Sequence, residues 1–134
     1  MIDIKKTAVL FAVAVSSGCA GLMQDNRTPE EIVAERAQER YDGLMQKNME
    51  GLGEAFKFTT PSFRQYTTPE QYNARVAGRG MWNAAKVNKV TCEEDVCDVV
   101  IDVTYTSPQL GLPITRPLDE KWIRIENQWW VYHK

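Results

Sequence analysis

Acid–base catalysis needs an ionisable side chain that points into an apolar cavity, where the surroundings shift its pKa. The chain has one histidine, His133, and we interpret it as an exposed strand residue because it lies next to the last residue of the sequence. Asp98 and Asp102 alternate with Val and Ile, which favours solvent or the other side of the sheet, rather than a pocket, for both carboxylates. We therefore predict no catalytic residue, and an enzyme acting on a small apolar substrate is the alternative.

Aromatic side chains are the candidates for lining such a cavity. The same residues would also fill an ordinary core, so both interpretations stay open. No clustered metal ligands and no Ser-His-Asp order occur in the sequence, and no strand is predicted to lead into Gly78-Arg79-Gly80 as a phosphate loop requires. We predict neither a metal nor another cofactor. The candidate lining residues are Tyr41, Phe56, Tyr72, Tyr105 and Trp122.

The first residues have the pattern of an export signal. Two lysines precede an apolar run at 8–15 that is too short to span a bilayer, and small residues follow it. Ser-Ser-Gly-Cys, which ends at Cys19, resembles the lipobox of bacterial lipoproteins, although Ser16 stands where that family prefers leucine. The resemblance implies cleavage after residue 18 and a diacylated Cys19, which two hydrocarbon chains would hold in a membrane. An ordinary cleaved signal, which would release the protein into the periplasm, is the alternative.

The residues after the cysteine bear on location and partners. Ala20 and Gly21 imply, by resemblance to lipoprotein sorting rules, the periplasmic face of the outer membrane. We divide the chain into a signal peptide at 1–18, the lipidated cysteine and a tether at 19–27, and one domain at 28–134. Without the signal peptide, the chain contains 14 Lys and Arg residues and 17 Asp and Glu residues. A mildly acidic domain without a basic patch is a poor candidate for nucleic acid or for anionic lipid headgroups, so we expect membrane contact through the anchor alone.

Export also decides how the other two cysteines are interpreted. In an oxidising compartment Cys92 and Cys97 are expected to form a disulfide. If the four residues between them form a hairpin loop, the two cysteines face each other across the strands. A zinc site would need more ligands than this pair, and a reactive dithiol would need a neighbouring basic group.

Helix-start signals predict three helices before the sheet. Thr28-Pro29-Glu30-Glu31 is a capping box and starts a helix that reaches about Lys47. A shorter helix follows at 49–56, and a third begins after Thr68. Phe63 to Tyr66 is predicted to be an edge strand or a loop. The charged residues of the first helix are interpreted as lying on or near its solvated face: Glu35, Arg36, Glu39 and Arg40.

Residues 86–134 predict a four-stranded antiparallel meander. Its first hairpin joins 87–92 to 97–105, and its last joins 121–125 to 129–133 across Glu126-Asn127. If Cys92 pairs with Cys97, Val90 lies opposite Val99 and Lys86 lies opposite Val103. In the last hairpin Ile123 is predicted to lie opposite Trp130. Both faces of the last hairpin are apolar, which is typical of a strand covered on both sides or of a sheet that meets a second subunit. The candidate interface residues are Ile123, Trp130 and Tyr132.

This order of elements resembles the nuclear transport factor two-like (SnoaL-like) superfamily. The resemblance implies an α+β fold in which the helices pack on a curved, cystatin-like antiparallel meander and form a cone. The cavity at the wide end serves isomerases, dehydratases and epoxide hydrolases in that superfamily, and elsewhere only binding. The motifs that carry the resemblance are Glu31 to Tyr41 with Leu44, Thr60-Pro61-Ser62-Phe63, and Trp122 to Trp130.

A narrower resemblance rests on Val90-Thr91-Cys92-Glu93-Glu94, Cys97 and Trp129-Trp130, which are similar to a group of small proteobacterial lipoproteins of unestablished activity. Because one fold hosts many functions, we expect an interaction or small-ligand-binding module rather than a defined enzyme. The expected partners are a second copy, an envelope protein or a small apolar ligand. A structural component of an envelope assembly is a further alternative.

Overall fold

The computed structural model describes residues 26–134, which form an α+β domain with helices packed on a curved antiparallel sheet. This confirms the predicted fold class. The predicted signal peptide and Cys19 lie outside the described residues. Within 26–134, no helix is both long and apolar enough to cross a membrane.

Within residues 26–134, four helices precede the sheet, one more than predicted. The prediction of an edge strand or loop at Phe63 to Tyr66 is wrong. Thr60 caps a helix there through its hydroxyl, which accepts from the Phe63 N–H, and Pro61 suits the first helical position. The helices are α1 (Pro29–Met45), α2 (Met49–Phe56), α3 (Pro61–Tyr66) and α4 (Pro69–Arg75), and a 3-10 helix (Ala77–Met81) follows them.

The sheet is a simple meander, as predicted, in the order β1-β2-β3-β4. Cys92 lies opposite Cys97 and is bonded to it, which confirms the disulfide. The turn between them is tighter than predicted, because the strands continue to a Glu93–Val96 pair and only Glu94 and Asp95 remain outside. The strands are β1 (Trp82–Glu93), β2 (Val96–Thr106), β3 (Pro113–Ile125) and β4 (Gln128–Val131).

An irregularity in β1 shifts the register of the first hairpin. Val90 lies opposite Val99 as predicted, but Lys86 lies opposite Asp102 rather than Val103. The shift arises between Val87 and Lys89, where the pairing skips one residue of β1. A bulge of this kind hardly changes the hydrophobic pattern of the sequence. The predicted strand partner of Lys86 was therefore wrong.

The last strand is much shorter than its neighbour. β4 pairs only with Trp122–Ile125 of β3, with Ile123 opposite Trp130 as predicted. From Pro113 to Glu120, no described strand lies on that side of β3. Beyond Val131 the chain leaves the sheet, so the edge of β3 is open next to the C-terminal residues.

The core lies between α1 and the inner face of the sheet. Gly43 of α1 approaches α2 so closely that a Cβ on Gly51 would lie 2.2 Å from the Gly43 carbonyl oxygen. Every second residue of β2 points into this core, as the alternation predicts. The buried residues include Val33, Ala37, Tyr41 and Leu44 of α1, Cys97, Val99, Ile101 and Val103 of β2, and Trp122, Trp129 and Val131 of the last hairpin.

Candidate functional site

A buried ionic cluster joins α1 to β3. Glu120 points to the inner face of β3 together with Trp122, because the two residues are separated by two positions. The Arg40 guanidinium donates to Glu120 Oε2 at 2.5 Å, and the Tyr41 hydroxyl donates to the same oxygen at 2.6 Å. Trp122 Nε1 donates to Glu120 Oε1 at 3.2 Å. Both oxygens of the carboxylate are therefore engaged.

The interpretation of Arg40 as a residue of the solvated face of α1 is wrong, since only 2% of the residue is exposed. Its Nε donates to the Tyr72 hydroxyl at 3.1 Å. Burial lowers the pKa of Arg40, but the charge of Glu120 and the contact with Tyr72 outweigh it and leave the pKa raised. The guanidinium thus stays charged inside the domain.

Tyr41 is held in its neutral form by the same cluster. Burial raises the pKa of the Tyr41 hydroxyl, and the adjacent negative charge of Glu120 raises it further against the opposing effect of Arg40. The hydroxyl therefore acts as a hydrogen-bond donor to Glu120 throughout the physiological pH range.

His133 lies beside this cluster rather than at a frayed end. The C-terminal segment is fixed by Tyr132 N–H, which donates to the Lys121 carbonyl at 2.8 Å, and by Arg75, which donates to the Lys134 carbonyl at 2.9 Å. The imidazole packs on Phe63 with ring centroids 4.9 Å apart. It is half-buried and follows the end of β4, so its interpretation as an exposed strand residue is wrong.

The imidazole is neutral near pH 7. Burial lowers the pKa of His133 to about 4, and repulsion from Arg40 and Arg75 acts in the same direction. Its Nε2 atom is buried and has no hydrogen-bond partner among residues 26–134. Depending on the tautomer, a ring nitrogen of this kind can accept or donate one hydrogen bond.

A cavity of about 630 Å³ opens beside these groups, at the edge of β3 where β4 ends. Its volume falls in the range typical of small-ligand sites. The wall combines apolar side chains with charged groups, and Glu120 and His133 belong to it. The other lining residues are Asp98, Val99, Asp119, Lys121, Val131, Tyr132 and Lys134. Residues 26–134 contain no group of three or more His, Cys, Asp or Glu side chains suited to a metal.

The aromatic residues predicted as possible lining lie in different places. Tyr41, Tyr72 and Trp122 are buried and surround the Arg40–Glu120 pair. Phe56 packs on Tyr72 with ring centroids 5.2 Å apart. Tyr105 lies in β2 between Trp82 and Ile114. The structure thus brings three of the five together behind the cavity wall.

The candidate interface residues lie on the outer side of the last hairpin. Trp130 is half-buried between two guanidinium groups, those of Arg36 at 5.6 Å and Arg64 at 5.2 Å from its ring centroid. Ile123 is half-buried, and Tyr132 is exposed. α3 covers part of this side, which explains why the sequence there is apolar on both faces.

The ionic residues of the cluster had a signal in the sequence. Arg40 follows Val33 by seven residues and Ala37 by three, so helical geometry places it on the buried stripe of α1. Glu120 is two residues before Trp122 in β3, so the two side chains point to the same face of the sheet. Opposite charges at two inward positions of different elements predict a buried pair, whereas the charge of each residue taken singly favours solvent.

Comparison with known proteins gives no match by sequence: no family model and no curated protein matches the chain. Solved structures do match. A Campylobacter jejuni protein named as a candidate NTF2-like transpeptidase is 12% identical with a TM-score of 0.53, over 81% of this chain and 100% of that one. The chain therefore has an NTF2-like fold, as the resemblance implied.

Two bacterial proteins that contain SEC-C motifs share the fold. The Psychrobacter arcticus protein is 14% identical with a TM-score of 0.58, over 85% of this chain and 65% of that one. The Rhodopseudomonas palustris protein is 11% identical with a TM-score of 0.50, over 70% of each chain. At these identities the likeness concerns the fold alone.

Proposed function

We propose that this chain is a lipid-anchored periplasmic domain of the outer membrane that binds a small ligand or a protein partner without transforming it. The observation that carries the proposal is the cavity beside β3, where the carboxylate of Glu120 is already paired with Arg40 and accepts hydrogen bonds from Tyr41 and Trp122. A general base needs a lone pair that is free to take a proton. The cluster therefore supports recognition at a rigid wall rather than proton transfer by Glu120.

The anchor rests on the lipobox-like motif at Cys19, and the disulfide between Cys92 and Cys97 is in keeping with an oxidising compartment. Membrane fractionation of cells that express the full chain tests it. The Cys19→Ala variant should leave the membrane fraction, and unchanged fractionation would refute the anchor.

Ligand binding can be tested at the cavity with a small-molecule fragment library and NMR of the chain from residue 20. Fragments that bind should shift the amide resonances of Glu120, Lys121 and His133. Asp119→Trp, at an exposed position of the wall, should block these shifts. Thr115→Trp lies four residues earlier on the same side of β3, outside the wall, and is the matched control. Equal fragment binding by both variants would contradict the proposed site.

A protein partner is the second form of binding that the surface supports. Ile123, Trp130 and Tyr132 lie on the outer side of the last hairpin, where a second copy or an envelope protein could pack. Size-exclusion chromatography of the chain from residue 20, with Trp130→Glu as the variant, tests self-association. A monomeric wild type with a fully stable variant would leave only the hetero-partner, including a larger envelope assembly, which pull-down from membranes would detect.

A catalytic function is the alternative, and it is favoured by His133, which lines the cavity and whose buried Nε2 has no hydrogen-bond partner among residues 26–134. A neutral imidazole can serve as a base in an isomerase, dehydratase or hydrolase of small apolar substrates. Turnover abolished by His133→Gln with the fold intact would establish this alternative over binding alone.

The transpeptidase name of the Campylobacter jejuni protein gives a separate hypothesis for this chain. Acyl transfer of that kind requires a nucleophile, and a free thiol is the strongest that proteins offer at neutral pH. Within residues 26–134 the two cysteines are bonded to each other. The described domain therefore offers no thiol nucleophile while the disulfide is intact.

A further inference from the structure

The outer side of the β3–β4 hairpin carries an exposed aromatic patch, which we define as Tyr66, Ile123, Ile125 and Tyr132. Tyr66, the last residue of α3, is 84% exposed, and Tyr132 and Ile125 are 46% and 40% exposed. The four residues line one groove of about 360 Å³. Several large apolar side chains that share one exposed groove are typical of a surface that contacts a partner or a membrane.

Basic groups lie along one border of the aromatic patch. The Arg64 guanidinium stacks over Trp130 and the Arg75 guanidinium stacks over Phe63, at 5.2 and 5.6 Å from the ring centroids. From Ala55 to Pro69 the sequence has no Asp or Glu. This border is therefore positively charged, although the chain as a whole has a net charge of −2.

The chain enters the domain at the same end. Arg27 and Pro29 line a cleft together with Arg124 and Asn127 of the β3–β4 hairpin. Between Cys19 and Arg27 the backbone can span at most about 28 Å when fully extended. A lipid on Cys19 would thus keep this hairpin, rather than the opposite end of the sheet, near the bilayer.

We propose that the aromatic patch docks the domain on an anionic phospholipid surface. The proposal rests on the lipid anchor proposed above. Tyrosine is favoured at the boundary between lipid and water because its ring is apolar and its hydroxyl is polar. Arg64 and Arg75 would lie close to the phosphate groups, since the charge of a guanidinium complements them. Because the tether is short, only surfaces at this end of the domain would reach the membrane.

Vesicle co-sedimentation of the chain from residue 20 tests the proposal without the anchor. This chain contains every described helix and strand. It should bind vesicles of phosphatidylethanolamine and phosphatidylglycerol more strongly than vesicles of phosphatidylcholine, and added salt should weaken the binding. The double variant Tyr66→Asp, Tyr132→Asp should bind the anionic vesicles at least about tenfold more weakly, because it removes both rings and adds two negative charges.

Leu110 and Leu112 provide the matched control. They are 67% and 60% exposed in the loop before β3, whereas the hairpin turn follows β3. A strand of 13 residues separates the two ends by about 40 Å. The double variant Leu110→Asp, Leu112→Asp adds the same charges to an exposed apolar site and should bind vesicles like the wild type.

Three results would overturn the proposal: no binding to anionic vesicles, equal loss in both double variants, or a patch variant that only converts a dimer to a monomer. The last result would assign the patch to a second copy of the chain. None of them bears on the anchor itself, which fractionation of Cys19→Ala tests separately. Urea unfolding of both variants checks that their folds are intact.

Discussion

Replacing Glu120 by glutamine is the sharpest test of the buried cluster. The change keeps the shape of the side chain but removes the charge that pairs with Arg40, whose side chain is 3% exposed. Breaking a buried pair from one side typically costs about 3 to 5 kcal/mol, because the remaining charge stays buried and uncompensated. That is a large part of the roughly 5 to 15 kcal/mol by which a domain of this size is stable.

Urea unfolding measures this loss, with tryptophan fluorescence and far-UV circular dichroism as independent probes. With a slope of roughly 1.5 kcal/mol per molar urea, the midpoint should fall by about 2 to 3 M. Asp98→Asn is the control, because Asp98 pairs with Lys121 at 2.6 Å while both side chains are at least 60% exposed. Its cost should stay below about 1 kcal/mol.

A Glu120→Gln variant as stable as the control would refute the reasoning, since it would mean that water reaches Arg40. The double variant Arg40→Met, Glu120→Leu separates charge from packing. It removes both charges and should recover part of the lost stability, because apolar side chains of similar volume often replace a buried pair without cost. The recovery stays partial because Tyr41 and Trp122 lose their acceptor.

Three further predictions concern other parts of the domain. Gly51→Ala should lower the free energy of unfolding, measured with urea, by about 2 kcal/mol or more, because the new Cβ would meet the Gly43 carbonyl. Gly53 has open space around it, so Gly53→Ala should raise the free energy of unfolding by about 0.5 to 1 kcal/mol. Cys92→Ala should cost about 2 kcal/mol by the same measurement, since the bond closes a short loop, and no change relative to the oxidised wild type would contradict a structural role. The lowered pKa of His133 means that the unfolded chain takes up a proton between about pH 6.5 and 4 that the folded chain does not. Stability should therefore fall as the pH falls through that window, by about 1 to 2 kcal/mol after allowing for partial exposure, and His133→Gln should flatten this slope in unfolding titrations.

The meander could be predicted from the sequence because its signals are local. Alternating residues of β2 and the Glu126-Asn127 turn gave the correct pairing of Ile123 with Trp130, and Asn127 adopts the left-handed backbone that this turn requires. The helix at 61–66 was missed because six residues show no periodicity, although its Thr-Pro start is the same as that of α1 and α4.

The candidate site could not be predicted to the same degree. Arg40, Glu120 and His133 come together only when α1, β3 and the C-terminal segment pack, and the sequence separation of 80 residues between Arg40 and Glu120 hides the pair. Taken alone, each of these residues is expected to be exposed to solvent, because residues of its type usually are. Considering inward positions of opposite charge jointly would have recovered Arg40 and Glu120, but not the position of His133.

The open edge of β3 would matter for copies of the chain that the proposed anchor holds side by side in a membrane. An unpaired strand offers its backbone to any neighbouring chain, and crowding on a surface favours such contacts. Pro117 lies within this edge and has no backbone N–H, so it cannot donate a hydrogen bond to a strand of another molecule. Pro113 stands at the beginning of β3 and has the same effect there. If the proposed anchor holds many copies in one membrane, the two prolines should disfavour pairing of these copies along this edge.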